Sequence, residues 1–370
     1  MMVAKGLEGV VIDTSSICRI DGNEGRLIYR GYDIHDLSSN LSFEEVAYLL
    51  WNGDLPTQDQ LSDLKKHLIA ERPVTDSLKN AIRKLPTSSD SLDVLRTAIS
   101  TLGTGHPIKK PDIGDAIAIT AKIPTITAAF DRIRRGQEPL EPRPNLDHAA
   151  NYIYMLTGRE PDRNKVDALN KYLILLADHG MNASTFTARI VASTWSDMHS
   201  AVVAAVCALK GPLHGGAPAP VLRMLKEIGK PERAEPWIRE QLKAGQRLMG
   251  FGHRVYRTTD PRAEILRGIA SKSAEKSFFE LATNVEQTGV RILQEHRPER
   301  KLYTNVEFYS SVVMDSVGLP PDLFTATFAA SRTVGWTANV LEQVANNRLI
   351  RPEIQYTGPV DRKVVPIEKR

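Results

Sequence analysis

The sequence predicts a mainly α-helical fold in two domains. Three observations carry that reading. Apolar residues recur at helical spacing behind capping residues along most of the chain, and strand-like runs are few. The length of 370 residues also exceeds what a single core commonly organises. Hydrophobic residues make up 42% and charged residues 25%, the balance of a soluble globular protein rather than a disordered one.

Taken in order, Ser15 to Tyr29 reads as a β-hairpin, with Ile17, Ile20, Leu27 and Ile28 flanking the turn-rich Asp21-Gly22-Asn23-Glu24-Gly25. Ser42-Phe43-Glu44-Glu45 is a capping box, opening a helix through Val46, Leu49 and Leu50 that stops at Asn52-Gly53. Thr57-Gln58-Asp59-Gln60 caps the next, with Leu61, Leu64 and Leu68 inward. Thr75–Leu85 and Ser91–Leu102 continue the helical period. Ile113–Arg135 is apolar with Pro124 inside, which predicts a kinked or broken helix. After a proline-rich loop over 136–145, helices resume at Leu146–Leu156 and Lys165–Ala177. Asp197 caps an alanine-rich helix ending at Gly211-Pro212, apolar on most sides and so expected in the core or against another subunit. Glu235–Gly245 and Arg262–His296 are amphipathic, Tyr303–Tyr309 reads as a loop, and Val312–Val317 and Leu323–Asn346 as an apolar pair or one bent helix. From Arg348 the tail is extended, with Pro352, Pro359 and Pro366. Loops near Pro218–Pro220 and Pro320–Pro321 are candidate hinges around a smaller domain over 220–322, leaving 1–219 and 323–370 as the larger one.

Composition excludes several function classes. A net charge of +4 over 48 basic and 44 acidic residues, without a long basic run, argues against nucleic acid as a partner. Cys18 and Cys207 lack metal-ligand spacing, which suits a reducing compartment. The start of the chain has no apolar leader and no run reads as long enough to span a bilayer, so the expected place is the cytoplasm. There is no P-loop, dinucleotide fingerprint, nucleophile elbow or H-E-x-x-H.

Four loops carry chemistry. Two set a histidine against glycine: Lys210-Gly211-Pro212-Leu213-His214-Gly215-Gly216, and Gly250-Phe251-Gly252-His253-Arg254-Val255-Tyr256-Arg257 followed by Asp260-Pro261-Arg262. Glycine lets a ligand approach the backbone, and a histidine there donates, accepts or exchanges a proton near neutral pH. Asp178-His179-Gly180-Met181-Asn182 ends a helix. Asn305-Val306-Glu307-Phe308-Tyr309-Ser310 holds a carboxylate among apolar and aromatic neighbours, which would raise its pKa and make it a usable base. Arg332 interrupts an apolar helix, where burial demands an anionic partner. Each residue also has a structural reading: His179 as a hydrogen-bonder, Glu307 as a cap or surface group. Zinc is the weaker reading of three histidines so far apart, and no metal is expected. His67, His106, His148, His199 and His296 read as surface residues.

Together these loops resemble the citrate synthases, over nearly the whole chain from Gly6-Leu7-Glu8-Gly9-Val10 to Asn347-Arg348-Leu349-Ile350-Arg351-Pro352. The G-F-G-H-x-V-x-R-x-x-D-P-R run is the most specific part, and the length resembles the compact bacterial and archaeal dimeric type. The resemblance implies an almost entirely helical fold whose large and small domains close over the site. It also implies a transferase joining acetyl-CoA to oxaloacetate and hydrolysing the thioester, with acetyl-CoA as substrate and no tightly bound cofactor. By resemblance Glu307 is the base, His214 donates to the thioester oxygen, and His253 donates to the oxaloacetate carbonyl. Arg262, Arg332 and Arg351 answer its carboxylates, with His179 and Asn182 at the substrate and Arg351 supplied across a homodimer interface. CoA would lie over Arg247, Leu248, Met249, Gly250, Phe251 and Gly252, with Arg257 near its phosphates. Three positions depart from the commonest pattern: Glu307 for aspartate, Asn339 where histidine is frequent, and Pro218-Ala219 for Asn-Glu. The runner-up is 2-methylcitrate synthase, which uses propionyl-CoA. ATP-citrate lyase lacks support, since no ATP-binding portion is present. A catalytically silent helical paralogue would have no need of these histidines and arginines.

Overall fold

A computed structural model describes residues 4–7, 9–105, 109–214, 218–253, 255–299 and 302–370. Among them lie sixteen α-helices and one small antiparallel sheet. The sheet comprises β1 (Cys18–Asp21), β2 (Arg26–Tyr29) and β3 (Tyr32–Asp33), with Cys18 opposite Tyr29 and Asp21 opposite Arg26. The first two strands are the expected hairpin, and β3 extends it.

Caps set most helix starts. Asp33 opens α1 (Ile34–Asn40), a helix the sequence pattern did not declare. At α2 (Phe43–Asn52) Ser42 Oγ accepts from the Glu45 amide, while Glu45 accepts from the Ser42 amide at 2.8 Å; Gly53 ends the helix in the left-handed region. Thr57 and Gln60 repeat that exchange at α3 (Gln58–Glu71). Thr75 caps α4 (Asp76–Arg83) and Asp90 caps α5 (Ser91–Leu102). The next helix, α6 (Ile113–Arg134), continues unbroken through Pro124, correcting the expected break. Most of its residues are buried, and that packing outweighs one missing amide. By length and composition α6 also qualifies as a membrane span, contrary to the sequence reading; it is instead wrapped by other helices of the fold.

The helices α7 (His148–Thr157) and α8 (Arg163–Leu176) follow, then α9 (Ala183–Ser193) and α10 (Met198–Leu209). His148 is not a surface residue: it is buried at the start of α7, its ring 4.9 Å from that of Phe43, and burial followed by Arg72 pushes its pKa down to about 3. His199 is half-buried, and His106 lies outside the described residues. Pro218–Pro220 is not loop but the first turn of α11 (Pro218–Ile228), where prolines cost no intrahelical bond. Next come α12 (Ala234–Lys243), α13 (Pro261–Ser273) and α14 (Lys276–His296), so the stretch over 262–296 is two helices. The expected loop over 303–309 is also shorter than read, because α15 (Val306–Val317) already contains Glu307 in its first turn. The last helix, α16 (Phe324–Ala345), is buried along most of its length and packs on α2, α5, α6, α8, α9 and α10. Beyond it the tail is exposed and extended to a final 3-10 turn at Ile367–Lys369.

This packing gathers helix ends. The C-terminus of α8 and the N-termini of α9, α13 and α15 meet beside the middle of α16, where orphan backbone groups and capping residues face a common space.

Candidate active site

That space is a cavity of about 880 Å³, a size suited to a small-molecule ligand. Its wall includes His179, Asn182, His214, His253, Arg262, Glu307 and Arg332, so seven predicted residues from five separate segments come together. Arg351 does not line it and is exposed in the tail. The stretch Arg247–Gly252 and Arg257 do not line it, while Gly215 and Gly216 fall outside the described residues.

The turn after α8 is fixed from two sides. Tyr29 of β2 is buried and donates its hydroxyl to the Asp178 carbonyl at 2.7 Å. Gly335 of α16 donates to the Ala177 carbonyl at 3.1 Å; a Cβ there would stand 2.3 Å from that oxygen, so the approach requires glycine. His179 is thereby set beside His253 and Tyr256, its Nε2 3.3 Å from the Tyr256 hydroxyl. Burial, then Arg262 and Arg332, hold its pKa well below the usual range. Asn182 caps α9, accepting from the Thr185 amide at 3.1 Å.

The two glycine-flanked histidines share one device. His214 Nε2 accepts from the Ser184 amide at 3.2 Å, with Ser184 Oγ at 2.8 Å. His253 Nδ1 accepts from the amides of Val255 and Tyr256 at 2.9 and 3.0 Å. A backbone amide can only donate, so each accepting nitrogen is bare and the other ring nitrogen carries the proton. His214 thus has its N–H on Nδ1, and His253 has its N–H on Nε2. Burial, followed by Arg332 for His214 and by Arg262 for His253, pushes both pKa values down to about 4. Both are neutral hydrogen-bond donors near pH 7.

Two buried arginines line the same cavity. Arg262 forks onto its own N-cap, Asp260, at 3.0 and 2.8 Å. Burial works against its charge, but Asp260 outweighs it and raises the pKa. Arg332 donates Nε to the Leu176 carbonyl at 2.7 Å and stacks over Phe328, its guanidinium carbon 4.7 Å from the ring centroid. Two cationic forks and neutral imidazoles suit a small anion with a polarisable carbonyl.

Glu307 completes the set. Asn305 caps α15 by accepting the Glu307 amide at 3.0 Å. Glu307 Oε2 is shielded from solvent without a hydrogen-bond partner. Burial raises the carboxyl pKa to about 7, with Arg262 opposing and Asp260 assisting. A carboxylate with that pKa and a free oxygen is poised to take a proton near neutrality.

The Arg247–Gly252 loop is tied to this base. Gly252 N donates to Tyr303 O at 2.8 Å and Asn305 N to Gly250 O at 2.9 Å. Gly250 has φ +82°, and a Cβ there would press on Phe308 and Val221. Leu248 is buried, Met249 and Phe251 pack on the core, and Arg247 and Arg257 are exposed. Asn339 donates to Asp178 Oδ1 at 3.2 Å and its own oxygen takes Arg189, binding the His179 turn to α9.

Sequence reasoning assigned no role to Ser184, Tyr256 or Asp260. Asp260-Pro261 carries a readable signal, an acidic N-cap before proline at the first helical position. Ser184 and Tyr256 gave none, because their partners are distant in the chain or backbone-borne. Among the described residues no group of His, Cys, Asp or Glu side chains has the clustering of a metal site.

Comparison with known proteins bears on this arrangement. The sequence model of the family described as citrate synthase, C-terminal domain, matches residues 6–353. Citrate synthase 2 of Bacillus subtilis is 46% identical, with 100% of both chains covered. A crystal structure of citrate synthase from Thermotoga maritima superposes with a TM-score of 0.89 at 41% identity, covering 100% of this chain and 99% of that one. The citrate synthase of Thermoplasma acidophilum, solved as a ternary complex with carboxymethyl coenzyme A and oxaloacetate, gives a TM-score of 0.92 at 37% identity, with 100% of both chains covered.

Proposed function

The chain belongs to the citrate synthase family, and on that premise we propose that it condenses acetyl-CoA with oxaloacetate and hydrolyses the thioester to citrate and CoA. The observation carrying this reading is the unpartnered Glu307 oxygen, at a pKa of about 7, on one wall with two neutral histidines and two buried arginines.

In this reading Arg262 and Arg332 receive the oxaloacetate carboxylates, with His179 and Asn182 beside them. Glu307 takes a proton from the acetyl methyl group while His214 Nδ1–H donates to the thioester oxygen, so that an enol rather than a bare enolate forms. The enol carbon attacks the oxaloacetate carbonyl, whose oxygen draws on the His253 Nε2–H as negative charge develops. Water then cleaves the thioester, and CoA leaves as the thiol. CoA is proposed to lie along Arg247–Gly252, meeting the backbone there because Leu248 and Phe251 face inward, with Arg257 at its phosphates. The working form is proposed as a cytoplasmic homodimer to which Arg351 contributes across the interface, with 220–322 as a small domain moving on the rest. No tightly bound cofactor is required by these steps.

The test is thiol release from acetyl-CoA and from propionyl-CoA, each with and without oxaloacetate. Release should require oxaloacetate and favour acetyl-CoA. Propionyl-CoA turning over faster would assign 2-methylcitrate synthesis, and no oxaloacetate-dependent release from either would remove the reading.

A further inference from the structure

One carboxylate outside the cavity grips the chain on both sides of Glu307. Glu286 lies in the middle of α14, and no described residue of that helix lines the cavity. One of its oxygens accepts from the Thr304 hydroxyl at 2.7 Å, the other from the Tyr309 hydroxyl at 2.5 Å. Arg267 approaches the second oxygen with its Nε at 3.4 Å. Thr304 precedes the cap Asn305, and Tyr309 follows Glu307 by two residues. Both are buried, so their hydroxyls need an acceptor inside the protein. Arg267 belongs to α13, whose first turn carries Arg262.

The position matters because Glu307 sits in a helix's first turn, where amides lack intrahelical partners. Within α15 itself that turn has the Asn305 cap. Glu286 adds an anchor from a different helix, one bond ahead of the cap and one behind the base. Thr304 also pairs with Phe251, and Asn305 with Gly250, so the same grip extends to the loop proposed for CoA. A carboxylate suits this place: it accepts from two hydroxyls, one on each oxygen, and answers the charge of the Arg267 guanidinium. An amide has one accepting oxygen and no charge, and must set its NH₂ against one of the two hydroxyls.

We infer that Glu286 is a positioning residue for proton abstraction, holding Thr304 and Tyr309 so that the Glu307 carboxylate stands at the reacting methyl group. The inference rests on Glu307 being the base. It assigns Glu286 an effect on turnover rather than on substrate capture, because none of its three partners lines the cavity. Misplacing a reacting group by an ångström costs up to ~10²-fold in rate.

The experiment uses the full chain and compares Glu286→Gln with Glu295→Gln, a control on the same helix in an exposed pair with Arg239 and Arg291. Glu286→Gln should lower kcat by ~10-fold or more while the oxaloacetate KM changes by less than about twofold. Glu295→Gln should keep both. In a Glu307→Gln background, Glu286→Gln should add no further loss, since the group it positions is gone. An unchanged kcat, a loss confined to KM, or the same fold-loss repeated in that background would overturn the inference. The two assignments fail separately. A Glu307→Gln protein retaining most turnover sinks the base, whereas an inactive Glu307→Gln beside a fully active Glu286→Gln sinks only the positioning. Should Glu286→Gln not fold, Tyr309→Phe and Thr304→Val each remove one bond and should show the same split. Thr304→Ser, which keeps the hydroxyl, should recover the activity that Thr304→Val loses. Equal losses in the two Thr304 variants would count against it.

Discussion

At the scale of single residues, Glu307 sets both what the site does and what it costs. Its carboxyl pKa is raised by burial from 4.5 to about 7, and catalysis as proposed needs the deprotonated form. Turnover should therefore climb with pH up to about 7 and level above it; His214 and His253, at about 4, add no limb in that range. A pH–rate profile flat from pH 5 to 8 would contradict this. Glu307→Gln should keep oxaloacetate affinity near normal by calorimetry while thiol release falls ~10²–10⁴-fold. The same residue makes a stability prediction of opposite sign. Because the folded pKa lies above the unfolded one, the neutral acid is tolerated below about 4.5 and the cost of the buried anion develops as pH rises through about 7. Glu307→Gln is neutral throughout. It should nearly match the wild-type melting temperature at pH 4.5 and exceed it at pH 8, by a free energy on the order of 3 kcal/mol. Equal melting temperatures at pH 8 would show that the anion carries no burial penalty. The sequence disclosed this carboxylate and its apolar neighbours Val306 and Phe308, but not the tautomers of His214 and His253. Those are written by backbone amides, which every residue but proline possesses.

At the scale of elements, long apolar periods were readable with a side-chain cap, as in α2, or without one, as in α16; the short α1 was missed despite its Asp33 cap, and α9 and α11 were missed too. Ser42, Thr57 and Asp197 each accept the amide that their sequence pattern promised. In α9 the pattern is inverted: its buried face is Ser184, Thr185, Ala188, Arg189, Ala192 and Ser193, while Phe186 and Val191 are only half-buried. Such a face is stable because its polar groups are paired inside the fold. Arg189 reaches Asp13 at 2.6 Å and Glu342 at 2.8 Å, and Ser184 accepts from Trp336 at 2.9 Å. None of those partners is near in the chain, so beyond the Asn182 cap no local pattern marks the helix. The opening Pro218-Ala219-Pro220 hid α11 for the opposite reason, since prolines at a first turn imitate a loop. The contact of α16 with the α8 turn yields a test. Gly335→Ala gains ~1 kcal/mol of helix propensity. Its Cβ, however, would meet the Ala177 oxygen at 2.3 Å and Asp178 Oδ1 at 2.4 Å, and overpacking against backbone costs ~1–3 kcal/mol. The clash should win. The variant should melt several degrees lower and bind oxaloacetate more weakly, because Arg332 and His179 hang on that contact. A higher melting point with unchanged affinity would show that the helices part freely.

At the scale of the whole molecule, the question is how one chain's cavity becomes a complete site. Arg262 stands on α13 and Arg332 on α16, so oxaloacetate bridging both should draw the proposed domains together. Acetyl-CoA affinity measured by calorimetry should then rise when oxaloacetate is present; equal affinities would refute that coupling. Arg351 poses the larger test. It lies just beyond α16 in an extended tail whose Ile354 and Val364 are 94% and 89% exposed, apolar surface that a second subunit would cover. Loss of a carboxylate-binding fork costs ~2–4 kcal/mol, so Arg351→Ala alone should be nearly inactive. His253→Ala should be inactive for want of its donor. Unfolding the two variants and refolding them together in equal amounts makes about half of the dimers mixed. If Arg351 serves the neighbouring site, each mixed dimer has one site with both groups and one with neither, and about a quarter of wild-type activity returns. If Arg351 serves its own chain, every site in the mixture keeps one defect. Mixed dimers verified by mass spectrometry that recover no activity would place Arg351 outside the partner's site.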